Sequence, residues 1–152
     1  MESKKVSKRV NLVSVKLLKE GSILYEPRIV SSPKDAFELG KDFLIDSDRE
    51  KLILVCLDNK NQPTSINTVS VGSLNSSIVH PREVFKVAIL SNSANIIVYH
   101  NHPSGDVTPS KEDINITERL KEAGKILGIE LIDHIIVGSN SSYYSFNERG
   151  DI

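Results

Sequence analysis

Residues 96–113 constrain the fold of this chain more than any other segment. The segment begins with an apolar run, residues 96–99, which predicts a buried strand, and a proline and a glycine shortly afterwards turn the chain. Side chains two apart on a strand point to the same side, so His100 and His102 are predicted to aim at one point. The segment therefore predicts a strand that delivers two imidazoles to a loop.

Ser110 and Asp113 complete the pattern. Ser110 is predicted to be the N-cap of a helix, which places Asp113 in the first turn. Two imidazoles and one carboxylate leave a fourth tetrahedral position for water, as in a catalytic zinc site rather than a closed structural one. HxH alone is a weak signal, and Ser-x-x-Asp is common as plain helix capping. The combined spacing, with ten residues between His102 and Asp113, favours zinc.

The pattern HxHPSG…PSxxD resembles the metal-binding motif of JAMM (MPN-plus) metalloproteases, and its wording is similar to that of the RadC family. Other RadC-like segments extend from about residue 30 to the C-terminus and include residues 71–75, 79–85, 133–138 and 145–150. The resemblance implies one zinc ion per chain, held by His100, His102 and Asp113. Longer RadC proteins carry an N-terminal helix-hairpin-helix region. Too few residues precede the domain here for such a region, so we expect a DNA role to lose its most obvious physical support.

The resemblance also implies two catalytic residues. JAMM enzymes use a glutamate located before an early strand, and Glu50 has that placement. As general acid/base it would take a proton from water and hand it to the leaving amine. Glu83 is the alternative, but its position in a helix does not match the family's glutamate. Ser110 matches the serine that donates a hydrogen bond to the developing oxyanion, and we expect its oxygen to cap the helix as well.

Five further residues carry chemistry without a clear role. Asp106 is interpreted as a solvated or turn residue, and His80 as a helix N-cap rather than a ligand because Pro81 follows it. His134, which follows Asp133, is either a partner that orients a metal ligand or a satisfied core histidine. The single cysteine, Cys56, lies in an apolar run and is expected to be a buried, reduced thiol.

The composition is that of an ordinary soluble globular protein, with 39% hydrophobic and 26% charged residues among 152. The net charge of −1 gives no global attraction to nucleic acid or to anionic membrane. No apolar run reaches the length of a membrane span, and the N-terminus lacks a signal-peptide core, so we expect a cytoplasmic protein. The expected partner is a peptide or protein substrate, with weak nucleic-acid binding at most.

The chain is expected to form one domain over residues 10–152, after a mobile basic tail at residues 1–9. Strands and helices alternate, but a hairpin interrupts the βαβ order, so we predict an α/β fold with a mixed sheet flanked by helices. The resemblance implies the three-layer architecture of JAMM domains, related to the cytidine-deaminase fold. Strands are predicted at residues 10–18, 29–30, 52–57, 64–73, 96–99, 129–137 and 143–146, with helices beginning at Ser32-Pro33, at His80-Pro81 and after Ser110.

These observations favour a zinc-dependent hydrolase in which activated water attacks a peptide or isopeptide carbonyl. A nucleic-acid deaminase is excluded, because it needs a glutamate two residues after the ligating histidine and a Cys-x-x-Cys pair. A metal-dependent DNA-processing protein remains an alternative, although a two-metal nuclease would need more carboxylates than the motif supplies. A non-catalytic binding module that has kept its zinc site is the other alternative.

Overall fold

The computed structural model describes residues 3–26, 28–72 and 79–152. Within them, five strands form one sheet in the order β2-β1-β3-β4-β5. The strands are β1 (Lys51–Leu57), β2 (Pro63–Val71), β3 (Asn95–Asn101), β4 (Glu130–Val137) and β5 (Tyr143–Ser145). The helices are α1 (Pro33–Gly40), α2 (Pro81–Leu90) and α3 (Lys111–Leu127), and a short 3₁₀ helix, Lys41–Phe43, follows α1.

The sheet is mixed, and β3 lies at its centre. β1 pairs antiparallel with β2 and β3, while β3 and β4 run parallel and β5 returns antiparallel to β4. The parallel pair requires a crossover, and α3 supplies it. The predicted α/β fold with a mixed sheet is confirmed. Among the described residues, no helix is both long enough and apolar enough to cross a bilayer.

Helices cover both faces of the sheet, which gives three layers. On one face, strand residues such as Leu54 and Val98 pack against α2 and α3, and on the other Val55 and Tyr99 pack against α1. Successive residues of β1 and β3 are therefore buried on opposite faces, as expected for central strands covered on both sides. The buried side of α3 includes Ile116, Thr117 and Leu120, whereas Ile114 and Leu127 are exposed.

The predicted starts of the three helices are confirmed. Ser32 caps α1, where its hydroxyl oxygen accepts from the Asp35 N–H at 3.1 Å. His80 occupies the N-cap position of α2 without a side-chain capping bond. Gly128 ends α3 in the left-handed region, with φ of 72°. The α-helical turns of α1 end at Gly40, after which the short 3₁₀ helix begins.

The predicted strand at residues 10–18 is wrong. Residues 3–25 have no helix or strand, and the apolar side chains of the segment are exposed, Leu12 fully. A strand needs a hydrogen-bonded neighbour, and an apolar pattern alone does not supply one. Residues 29–30 also form no strand, although the Val30 side chain is buried and its N–H donates to the Asn61 carbonyl. The end of the predicted strand 64–73 and part of the RadC-like segment 71–75 lie outside the described residues.

Gly40 provides a test of the packing between α1 and the sheet. A Cβ at Gly40 would lie 2.4 Å from Cε1 of Tyr99. The Tyr99 ring is buried and its hydroxyl donates to the Ala36 carbonyl at 2.7 Å, so the ring has little freedom to move aside. We expect Gly40→Ala to lower the free energy of unfolding by roughly 1–3 kcal/mol, measured by urea denaturation.

Gly21 is the matched control for this substitution. A Cβ at Gly21 would meet no atom within 4 Å, so Gly21→Ala should change the free energy of unfolding by less than about 0.5 kcal/mol. Equal effects of the two alanine substitutions would contradict the packing argument.

Candidate metal centre

The structure brings the three predicted ligands together. His100 lies at the end of β3, His102 follows it, and Asp113 lies in the first turn of α3. His100 Nε2 is 2.9 Å from His102 Nε2 and 3.0 Å from Asp113 Oδ1, and His102 Nε2 is 3.1 Å from Asp113 Oδ2. All three ligand atoms lie within 4.8 Å of one another. The location of the ring protons decides what this cluster can bind.

A backbone carbonyl determines the proton position on His102. The Nδ1 of His102 lies 2.6 Å from the carbonyl oxygen of Asp106. A carbonyl only accepts, so Nδ1 carries the hydrogen, and in the neutral ring Nε2 keeps a free lone pair. The Asp106 side chain accepts from the Thr108 N–H at 3.0 Å, which confirms its interpretation as a turn residue.

A buried chain of hydrogen bonds determines the proton position on His100. The Thr117 hydroxyl donates to the Asp113 carbonyl at 2.7 Å, so its oxygen accepts from Nδ1–H of His134 at 2.6 Å. His134 Nε2 then has no hydrogen and accepts from Nδ1–H of His100 at 2.7 Å. The Nε2 of His100 is therefore left with a lone pair, as in His102.

The donor set fits a metal cation. In the neutral rings, the two Nε2 atoms have no hydrogen to share across the 2.9 Å that separates them, and a carboxylate lies beside both. Such an arrangement is repulsive by itself, and a cation between the three groups removes the repulsion. Two imidazole nitrogens and a carboxylate oxygen are ligands that suit zinc and other divalent transition metals.

Burial and the carboxylate shift the pKa values of the cluster. Burial lowers the pKa of both His100 and His134, because it disfavours the protonated form of these rings. Hydrogen bonding with Asp113 outweighs burial and raises the pKa of His102. Burial opposes ionisation of Asp113, but its hydrogen bonds with the two histidines prevail and lower its pKa. A proton on His102 Nε2 thus competes with a metal for the same position, so binding at low pH releases a proton.

The capping box of α3 orients the Asp113 carboxylate. Ser110 Oγ accepts from the Asp113 N–H at 3.1 Å, and Asp113 Oδ2 accepts from the Ser110 N–H at 2.8 Å. The predicted N-cap role of Ser110 is confirmed. Because Oδ2 is held by the cap, Oδ1 is the oxygen more available to a ligand, and it faces Nε2 of His100.

Glu50 lies on the same face of the sheet as the two histidines. It immediately precedes β1, where Leu52 pairs with His100, and residues two apart on a strand share a face. The main cause that raises the pKa of His102 is its hydrogen bond with Asp113, and the negative charge of Glu50 raises this pKa further. Glu83 instead lies exposed in the first turn of α2, with its carboxylate 3.1 Å from Lys86 Nζ.

Sequence reasoning did not decide between two roles for His134, and it did not identify Thr117 as part of the site. The structure places the Nε2 edge of the His134 ring against His100, and Phe146 stacks on the face of that ring with centroids 4.8 Å apart. Thr117 is four residues after Asp113 and so lies on the same face of α3, which is the signal that sequence reasoning could have used. Asp133 is directed elsewhere, since its carboxylate accepts from the Ser145 hydroxyl at 2.6 Å and joins β4 to β5.

The sequence is similar to known proteins over most of its length. A family model, that of the RadC-like JAB domain, matches residues 30–151. A UPF0758 protein of Methanosarcina barkeri is 52% identical over 123 residues, which cover 81% of this chain and 53% of the relative. A UPF0758 protein of Clostridium botulinum is 55% identical over 123 residues, with 81% and 54% covered. The chain spans about half the length of the curated relatives it matches.

Substitution of Thr117 tests which ring nitrogens of His134 and His100 carry hydrogen. In Thr117→Val, His134 Nδ1–H loses its acceptor, so the ring is expected to carry its proton on Nε2 and to donate to His100. The His100 proton then moves to Nε2 and blocks the ligand position. We expect the affinity for zinc to fall by roughly 10–100-fold, measured by competition with a chromogenic chelator. Thr117→Ser keeps the hydroxyl and should bind zinc like the unmodified chain. Equal weakening of zinc binding in both variants would contradict the assigned positions of the ring protons.

Proposed function

The chain belongs to the RadC-like JAB domain family, and on that premise we propose that it is a zinc-dependent hydrolase of peptide or isopeptide bonds. The observation that carries the proposal is the pair of Nε2 lone pairs that converge with the Asp113 carboxylate. Three protein ligands leave room for a substrate or water, which distinguishes a catalytic site from a closed structural one. Fold alone does not establish chemistry, so the proposal depends on these side chains.

His100, His102 and Asp113 would hold the zinc ion. When bound, zinc supplies Lewis acidity, which makes water more acidic and polarises a carbonyl group. The two carbonyl-terminated hydrogen-bond systems, one through Asp106 and one through His134 and Thr117, hold the imidazoles in the tautomer that ligation needs. The protein thus prepares its ligands before any ion is present.

Glu50 is the proposed general acid/base. Its side chain is half-buried and lies on the histidine face. The carboxylate would accept a proton from the attacking water and then donate it to the leaving nitrogen, so that one group serves both steps. Proton balance is complete, because the water hydrogen taken in the first step leaves with the amine.

Ser110 is the proposed oxyanion partner. Its oxygen already accepts from the Asp113 N–H, and the hydroxyl therefore has its own hydrogen to donate. A hydroxyl that is held by a helix cap keeps a constant position, which is what stabilisation of a developing oxyanion requires. Ser110 is exposed at the start of α3, so a substrate carbonyl can approach it.

A peptide or protein is the proposed substrate, and we expect nucleic acid to bind weakly. The net charge is −1, and positive charge is concentrated near the N-terminus, at Lys4, Lys5, Lys8 and Arg9. Contacts of these residues with phosphates would give binding that falls steeply with salt concentration. Tight DNA binding at physiological salt by a chain lacking residues 1–9 would contradict this expectation.

Metal content is the first test. Protein purified without added metal should contain about one zinc per chain by elemental analysis, because one cluster within the described residues supplies three ligands. His102→Ala should lose most of this zinc, since two remaining ligands do not retain an ion through purification. His80→Ala is the control and should keep its zinc, because His80 lies at the start of α2. Unchanged metal in His102→Ala would contradict the assignment.

The second test concerns Glu50. Glu50→Gln should keep its fold and zinc, because Gln is nearly isosteric and Glu50 is not one of the three ligands. Hydrolysis of peptides or isopeptide-linked conjugates should slow by roughly 10²–10⁴-fold, the usual contribution of a positioned proton-transfer group. Glu83→Gln is the matched control and should retain near-full activity, since Glu83 pairs with Lys86 on the surface.

Two other outcomes would change the proposal. Loss of turnover in Glu83→Gln with unchanged turnover in Glu50→Gln would show that the general base is wrongly assigned. A protein that retains zinc but hydrolyses no member of the substrate panel would favour the non-catalytic binding module.

A further inference from the structure

Asn101, the residue between the two histidine ligands, contacts the backbone on both sides of Glu50. Its Oδ1 accepts from the Lys51 N–H at 2.8 Å, and its Nδ2 donates to the Arg49 carbonyl at 2.8 Å. The side chain is 3% exposed, so water does not readily replace these bonds. One amide therefore holds both residues that flank Glu50.

The position of Asn101 in the sheet explains this contact. The antiparallel pairing of β1 with β3 runs from Leu57 opposite Asn95 to Leu52 opposite His100. Beyond that last pair, the Asn101 side chain supplies the donor and the acceptor for the backbone of the preceding segment. His100 and His102 point to the opposite side of the strand from Asn101, because side chains alternate. The same stretch of chain thus directs two histidines to one side and, on the other side, an asparagine that bonds to the backbone next to Glu50.

The backbone of Glu50 itself is hydrogen-bonded to the residue that follows β2. The Gly72 N–H donates to the Glu50 carbonyl at 2.7 Å, at the end of β2. Gly72 has φ of 116°, a conformation that strains any other residue. The Glu50 backbone is therefore bonded directly to Gly72, the residue after β2, and its two neighbours are bonded to β3 through Asn101.

We propose that Asn101 is a positioning residue that holds Glu50 beside the metal-binding cluster. The role requires a side chain that donates and accepts at the same time, over a short reach, and asparagine has both groups. Aspartate keeps the acceptor for Lys51 but places an oxygen against the Arg49 carbonyl, and alanine loses both bonds. The inference rests on the proposed function as far as Glu50 acts as the proton-transfer group.

The kinetic test uses Asn101→Ala in the zinc-loaded full chain. Zinc content should be unchanged, and kcat should fall by roughly 10–100-fold, because a displacement of about 1 Å in a reacting group has effects of this size. The double variant Asn101→Ala/Glu50→Gln should be no slower than Glu50→Gln alone, since Asn101 acts through Glu50. A purely structural role would instead give losses that multiply, and that result would overturn the proposal.

Asn95→Ala is the matched control. Asn95 lies at the other end of β3, and its Nδ2 donates to Asn61 Oδ1 at 2.8 Å. Its removal costs a comparable hydrogen bond on the same strand but leaves the segment around Glu50 untouched, so kcat should be unchanged. An equal fall of kcat in both variants would show that the effect is general weakening of β3.

Hydrogen exchange gives a second readout that does not need hydrolysis. The Lys51 amide should exchange faster in Asn101→Ala than in the unmodified chain, whereas exchange at Ile53, within β1, should change little. Glu50→Gln should leave the Lys51 amide protected. If the unmodified chain cleaves no peptide, the proposed function fails. The exchange rate of the Lys51 amide in Asn101→Ala then tests by itself whether Asn101 holds this segment. Unchanged protection in Asn101→Ala overturns it.

Asn101→Asp covers the case in which the alanine variant does not fold. This variant keeps the shape of the side chain and the acceptor for the Lys51 N–H, but it loses the donor to Arg49. We expect slow exchange at Lys51 together with a reduced kcat. A kcat equal to that of the unmodified chain would show that the bond to Arg49 does not position Glu50.

Discussion

The site depends on where three imidazole rings keep their hydrogens. Two backbone carbonyls, those of Asp106 and Asp113, decide this, because a carbonyl oxygen never donates. From the Asp113 carbonyl the order of donors runs outward through Thr117 and His134 to His100. Burial reinforces the arrangement, since it lowers the pKa of His134 and disfavours a second proton there. The availability of the two Nε2 lone pairs is thus set by peptide groups as much as by the histidines themselves.

Asp113 connects the helix to both parts of this system. Its carboxylate is one of the three candidate ligands, and its carbonyl accepts at the inner end of the Thr117–His134 chain. Any shift of α3 would therefore move a ligand and disturb the tautomer of His100 together. The capping box with Ser110 and the parallel crossover between β3 and β4 hold the start of this helix in place. Asp113 is also buried, so its carboxylate has little access to water and depends on Ser110 and the two histidines for hydrogen-bond partners.

The sequence predicted the parts of this centre that are local. His100, His102, Ser110 and Asp113 lie within one strand–loop–helix unit, where side-chain alternation and helix capping determine the geometry. The mixed sheet was also predictable, because strand and helix patterns alternate along the chain. The roles of His134 and Asn101 were not, since each depends on a contact between elements distant in sequence.

The same reasoning explains the failed strand at residues 10–18. An apolar pattern describes which sides a strand could bury, but pairing with a neighbour decides whether a strand forms. β1 and β3 are apolar on both faces and pair with neighbours on both edges, and they formed as predicted. Residues 10–18 have comparable apolar content, yet they remain exposed without a pairing partner in the described part of the chain.

The register between β1 and β3 links the two halves of the proposed chemistry. The candidate ligands lie in β3, just after it and in α3. Glu50 instead precedes β1, which reaches the site through its pairing of Leu52 with His100. A slip of one residue would exchange the faces of β1 and turn Glu50 away from the histidines. It would also move alternate core side chains of β1, such as Leu54 and Val55, each fully buried, to the wrong layers. The apolar packing on both faces of the sheet therefore holds the glutamate on the metal side, and the Asn101 amide refines a position that the core has already selected.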